Sequence, residues 1–274
     1  MQKDSNIESI AVIGGRGRDG TPEPLTRVEL KMGDVVSIVG PTGSGKTAFI
    51  NDIELLADAN TPSRRRVLIN GRPASEFSGS HSKHPIALIT QHTNFLSDLP
   101  VHRFLRMHAD IRQSDKGETV VQETLDFANQ LTGEPIIETI GMTELSGGQT
   151  RALLLADAVV IGNSPIILLD EIENAGIHRT KALELLHGFQ KIFVFVTHDP
   201  RIALLSDRRV VMKNGAMQKE IQAEADEKRA AQEIKKLDDL ILELRAIIRN
   251  GDRVGAALLE ERLHAIGYRN GVTP

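Results

Sequence analysis

Two glycine-rich stretches of the 274-residue sequence carry residue types suited to phosphate: "GPTGSGKT" at 40–47 and "TELSGGQTRAL" at 143–153. In the first, Gly43 and Gly45 let backbone N–H groups close around phosphate oxygens at the positive end of the following helix. Lys46 supplies a point charge to the β- and γ-phosphates, and the Thr47 hydroxyl is a ligand for Mg²⁺. The spacing is G-x-x-x-x-G-K-[ST], formed by Gly40, Pro41, Thr42, Gly43, Ser44, Gly45, Lys46 and Thr47. It follows "DVVSIVG", a β-branched run, and precedes "KTAFINDIELLA", whose apolar residues recur at helical spacing. Strand, loop and helix in that order are the context that confirms a phosphate loop.

A second chemical feature is "PIILLDEIENAG", a hydrophobic strand ending in Asp170-Glu171. Successive side chains of a strand point to opposite faces, yet at its fraying end both reach a shared crevice. Beside a phosphate loop, Asp170 is expected to hold Mg²⁺ through water and Glu171 to polarise the water that attacks the γ-phosphate. A third glycine pattern is a decoy. Gly15, Gly17 and Gly20 spell G-x-G-x-x-G, but "TPEP" follows at once and forbids a helix there, so a turn is expected. His81, His84, His92, His102 and His108 have no cysteine or carboxylate at ligand spacing and read as surface histidines.

These residues need elements to position them. Short strands are expected at 8–13 and 26–31, then at "RRVLING" and "PIALITQ". Helices follow at "VHRFLRMHADI" and "TVVQETLDFANQL", then the strand "PIILLDE", the helix "TKALELLHGF" and the strand "KIFVFVTHD". "RRVVMKNGAMQKE" reads as a hairpin turning at Asn-Gly. Strands alternating with helices imply a largely parallel sheet covered on both faces, an α/β fold. After about residue 217 the composition changes. Ile234, Leu237, Ile241, Leu244 and Ile248 form a short heptad seam, broken at Asn250-Gly251 and followed by a helix around 252–266. That predicts a helical hairpin that mediates assembly.

Composition narrows the classes. The net charge of −4 gives no global attraction to nucleic acid or anionic membrane. The basic runs "SRRR" at 63–66 and "DRR" at 207–209 read as solvated faces. With no cysteine, disulfides and thiolate metal ligands are excluded, which suits a cytoplasmic protein. The first twenty residues lack the apolar centre of a signal peptide. No stretch approaches the roughly 18–20 apolar residues needed to span a bilayer.

The order of "GPTGSGKT", the strand-end Gln91, "LSGGQ" at 145–149, "LLDE" and "THD" at 197–199 resembles the ATP-binding cassette (ABC) ATPases, over roughly residues 5–217. That resemblance implies a P-loop fold with a mostly parallel core, a small antiparallel subdomain and a helical subdomain at about 95–150. The cassette would occupy 1–217, and the hairpin tail at 218–274 is additional. ATP and Mg²⁺ are the implied cofactors. Gln91 resembles the loop glutamine that senses Mg²⁺ and the attacking water, and His198 the switch histidine that contacts the γ-phosphate. In the family two cassettes face head to tail, so that Ser146, Gly147, Gly148 and Gln149 of one close over the ATP of the other. A homodimer is therefore expected. The logic also stands physically, since a helix N-terminus favours an anion.

Three features depart from the family. Its usual adenine-stacking aromatic is replaced by Arg16 or Arg18, whose guanidinium also stacks. The loop after Glu171 reads Asn174-Ala175-Gly176-Ile177 and lacks the usual aspartate. The helical tail is not part of the common cassette. Two functions are carried forward. One is the ATPase subunit of a membrane transporter, cytoplasmic and held at the inner face of the membrane by a permease. The other is a soluble cassette that remodels a protein or nucleic-acid partner, although no direct nucleic-acid contact is expected.

Overall fold

Apolar residues that run without interruption, rather than in alternation, need burial on both faces, and the sheet supplies it. The computed structural model describes residues 7–76, 85–112, 117–171 and 179–268. It divides into two compact units, Met1–Ala223 and Glu224–Pro274.

In the first unit β1 (Ser9–Ile13), β2 (Arg27–Lys31), β4 (Arg66–Ile69) and β5 (Arg72–Pro73) form an antiparallel sheet in the order β2-β1-β4-β5. A second sheet joins β3 (Val35–Val39), β6 (Ile86–Ile89), β7 (Ile166–Asp170), β8 (Ile192–Val196), β9 (Arg208–Lys213) and β10 (Ala216–Gln222). Its order is β10-β9-β3-β8-β7-β6, parallel except for the β9–β10 hairpin. Every residue of β8 is buried. Phe193 and Phe195 join the core on one face, while Ile192, Val194 and Val196 join the core on the other. The period of two thus builds two cores from one strand.

One core is closed by α1 (Lys46–Glu54), through Phe49, Ile50 and Ile53. The other is closed by α2 (Val101–Arg112), α3 (Gly117–Leu131), α4 (Gly147–Val159), α5 (Arg179–Leu186) and α6 (Pro200–Leu205). Phe95 and Phe104 stack edge to face at 5.1 Å, packing the segment after β6 onto α2. The hairpin turns at Asn214 (φ 51°) and Gly215 (φ 80°), the double positive φ of a tight two-residue turn.

Some expectations are corrected. The α1 pattern predicts a helix to Ala57, but it stops at Glu54. Leu56 turns left-handed (φ 49°), and the Ala57 N–H closes onto the Asp52 carbonyl at 2.9 Å, which satisfies the helix end and buries Ala57. The basic runs are not wholly solvated. Arg65 is fully buried, and Arg208 is bonded to Asp34 and Glu220. His108 is half-buried and bonds Asp157 at 2.7 Å, joining α2 to α4.

The second unit holds α7 (Ala225–Arg249) and α8 (Ala256–Ala265), connected through Gly251 at φ 86°. The seam differs from the heptad reading, because Ile241 and Ile248 are exposed while Leu240 is buried. The pair Arg262–Glu243 at 3.2 Å joins α8 to α7. Leu240 and Glu243 lie one turn apart on one face of α7, and Ile241 and Ile248 lie on another.

Candidate functional site

The register of the parallel strands brings the chemistry together. Ile38 of β3 lies opposite Val196 of β8, Val196 opposite Asp170 of β7, and Leu169 opposite Ile89 of β6. The four chains therefore leave the sheet at one C-terminal edge. There β3 runs into residues 40–47, β8 into His198, β7 into Glu171 and β6 into Gln91. This edge, with a helix N-terminus above it, is where open α/β sheets bind ligands.

The loop at 40–47 is shaped by close approaches that only glycine permits. Gly45 (φ 99°) caps α1, and a Cβ there would lie 2.7 Å from Gly215 Cα. Lys46 is buried, and its Nζ donates to the carbonyls of Gly40 (2.9 Å) and Pro41 (3.2 Å) within its own loop. Ser44 is buried too, and its hydroxyl has no hydrogen-bond partner. A cationic side chain and an orphaned hydroxyl in a loop of turned-in backbone fit a phosphate group. Thr47 is exposed at the start of α1.

Glu171 is half-buried, and its N–H continues the ladder to the Val196 carbonyl at 3.1 Å. Its φ of 51° is left-handed, which is costly for a non-glycine residue and concentrated at functional positions. His198 is exposed between buried Thr197 and Asp199. Asp199 holds that turn by accepting the Arg201 N–H at 2.9 Å as the cap of α6, and its own N–H donates to the Thr197 hydroxyl at 2.9 Å.

Ser146, Gly147, Gly148 and Gln149 sit at the N-terminus of α4 rather than on a strand end. Ser146 Oγ accepts the Gln149 N–H, and Gln149 Oε1 accepts the Ser146 N–H, a reciprocal cap. Gln149 also donates to the Pro135 carbonyl at 3.1 Å. A residue that the motif reading missed joins this turn to Gln91. Arg151 donates to the Gln91 carbonyl at 2.7 Å and to the Gly147 carbonyl at 3.2 Å. Its position four residues after Gly147, on the same helix face, was the available signal.

The decoy glycines form a folded-back loop with no helix after it. Arg16 bridges Pro22, and the Arg18 N–H donates to the Asn214 carbonyl at 2.9 Å. Arg16 and Arg18 are both exposed. His81, His84 and the 174–177 loop lie outside the described residues. Among the described residues no group of three or more His, Cys, Asp or Glu is arranged to hold a metal, and no helix is long and apolar enough to cross a membrane.

A parallel sheet whose one edge gathers a phosphate loop, an acidic pair, a glutamine and a histidine defines a P-loop nucleoside triphosphatase. Comparison narrows the class, because the sequence profile of the ABC transporter family matches residues 26–174. The chain is 49% identical to an uncharacterized ABC transporter ATP-binding protein of Methanocaldococcus jannaschii, across 90% of this chain and 95% of that protein. It is 27% identical to a lipoprotein-releasing system ATP-binding protein LolD of Shewanella, across 73% of this chain and 89% of the relative. Among solved structures, a dimeric ATP-binding cassette in a post-hydrolysis state bound to ADP and Pi matches at TM-score 0.60 and 23% identity, covering 79% of this chain and 99% of that one. The chain belongs to the ATP-binding cassette transporter family. It is an ATP-binding, ATP-hydrolysing cassette.

Proposed function

We propose that this cassette powers a membrane permease through ATP-driven pairing of two copies. The observation that carries the reading is the convergence of residues 40–47, Gln91, Asp170, Glu171 and His198 on one sheet edge. ATP enters with its phosphates against the backbone of Gly43, Ser44 and Gly45, and Lys46 exchanges its loop carbonyls for β- and γ-phosphate oxygens. Arg16, with Arg18 beside it, lines the side where the base stacks. Thr47, Gln91 and Asp170 form an all-oxygen donor set, which fits a hard cation. Bound there, Mg²⁺ supplies charge neutralisation for the phosphates.

Hydrolysis then requires a water in line with the γ-phosphorus. Gln91 orients it, and Glu171 accepts its proton as the new P–O bond forms and the bond to the bridging oxygen of ADP breaks. His198 contacts the γ-phosphate. Ser146, Gly147 and Gly148 of the second copy present the α4 N-terminus to the same phosphate, so ATP joins the pair and its loss releases it.

Support for the permease comes from the helical layer. Leu96, Met107 and Ile111 are exposed beside the Gln91 segment and along α2, with Met107 and Ile111 one turn apart. Met107 and Ile111, four residues apart on α2, share one helix face and are the side chains we assign to the permease contact. Two measurements test the reading. Glu171→Gln should form an ATP-dependent dimer in gel filtration; turnover by a protein that never pairs would refute the mechanism. Affinity purification from detergent-solubilised membranes should recover a polytopic membrane protein. Recovery of a soluble complex alone would instead favour partner remodelling.

A further inference from the structure

Arg65 is absent from the motifs, yet it is the largest fully buried side chain of the described residues, at 0% exposure. Its guanidinium touches three segments at once. Nε bonds both Glu23 carboxylate oxygens at 3.2 and 3.1 Å, and Nη2 bonds Glu23 Oε1 at 2.6 Å. Nη1 bonds Asp52 Oδ2 on α1 at 2.8 Å, and Nη2 also reaches the Gly215 carbonyl at 2.7 Å. The group lies 5.3 Å from the ring centre of Phe49, again on α1.

The partners continue outward. Glu23 accepts the N–H of Gly15 at 2.8 Å and of Met217 at 2.6 Å. Asp52 accepts the Ser63 hydroxyl at 2.8 Å. Gly215 donates its N–H to the Ser44 carbonyl at 2.8 Å, inside the phosphate loop. A Cβ at Gly15 would collide with the Ser63 carbonyl, so the decoy glycine is explained by the chain that delivers Arg65.

The geometry points to Arg65 as a positioning residue that sets the spacing between the phosphate loop and the 15–23 loop. This rests on the reading of 40–47 as the ATP phosphate site. An apolar filler of equal volume can keep a buried ionic site stable, but it fixes no angles. A planar fork bonded to three segments fixes their mutual distances. The cluster bonds neither Glu171 nor His198. Its loss therefore acts through the loops that hold the nucleotide, and not through the groups assigned to the attacking water.

The experiment combines Glu23→Gln, Asp52→Asn and Arg65→Met, leaving no unpaired charge, and measures ATPase kinetics and thermal stability beside the wild type. The expected result is a KM for ATP raised about tenfold or more with kcat within about threefold. A merely structural role removes active protein, lowering apparent kcat and leaving KM alone. An unchanged KM overturns the proposal, whether or not the melting temperature falls. Should the triple variant not fold, Arg65→Lys keeps the charge and loses the fork, and it must raise KM several-fold; the wild-type KM there also overturns the proposal. Wild-type protein that fails to bind ATP would instead sink the reading of the phosphate loop itself.

Discussion

Glu171 holds the carboxylate proposed as base in a backbone conformation that favours glycine, φ 51°. The two properties separate by substitution. Glu171→Gln keeps shape and backbone, so ATP binding should persist while turnover in a steady-state ATPase assay falls about 10²–10⁴-fold, the weight of a general base. Glu171→Gly and Glu171→Ala both lack the carboxylate, yet the glycine variant should be the more stable by about 1 kcal/mol in urea denaturation, because only alanine bears the left-handed strain. Lys191 makes a second single-residue case. Burial pulls its ammonium down from the ordinary 10.5 to about 8, although Nζ donates to Asn163 Oδ1 (2.7 Å) and the Ser164 carbonyl (3.0 Å). Between pH 8 and 10.5 the unfolded chain therefore binds more protons than the folded one, and stability rises with pH across that window. Relative to Lys191→Met, the wild type should gain stability from pH 7.5 to 10.5, read as the difference between urea midpoints at each pH. A difference that stays flat would show that burial does not disfavour the ammonium.

At the level of elements, α4 asks Ser146 to cap a helix and, in the proposed dimer, to face the partner's phosphate. Ser146→Ala loses the cap and should cost about 1 kcal/mol in thermal or urea unfolding. Ser146→Asp caps as well as serine and suits the helix dipole, so stability should hold, but its charge opposes a triphosphate. In a Glu171→Gln background the aspartate variant should remain monomeric with ATP by gel filtration; pairing as strong as the parent's would remove the signature turn from the interface. The elements that the sequence made legible are those with local signals. The β-branched run of β3, the glycine loop before α1 and the Asn214-Gly215 turn each specify themselves within a few residues. What escaped depends on partners far along the chain. The acidic partners of Arg65 lie 42 and 13 residues away; strand alternation puts it in phase with buried Val67 and Ile69, but no local pattern names the carboxylates that pair with it. The early end of α1 escaped for a related reason, since "ELLA" reads as helix until Leu56 turns left-handed and buries Ala57.

For the whole molecule, the Glu224–Pro274 unit lies outside the residues 26–174 that match the family. Its likeness to the archaeal relative spans 90% of the chain, more than the Met1–Ala223 unit alone accounts for, so that match enters the tail. The match to LolD covers 73% and need not. Within α7, Ile241, Leu242 and Ile248 remain 45%, 49% and 61% exposed, where a solvated helix would place charge. Ile241 and Ile248 lie two turns apart on one face, as an interface stripe requires. All five motifs of the proposed ATP site lie in the first unit, and β10 ends at Gln222. A chain ending at Ala223 therefore keeps the sheet intact and should retain basal ATP turnover within about twofold. The double variant Ile241→Glu, Ile248→Glu should match it in turnover, and sedimentation velocity without ATP should show both forms assembling less than the full-length protein, while ATP-driven pairing of the cassettes persists. Polar substitution of an exposed face leaves the helix itself intact, so lost assembly with retained turnover would assign the stripe to an interface. Wild-type sedimentation from both forms would leave ATP-driven pairing of the cassettes as the sole contact between copies.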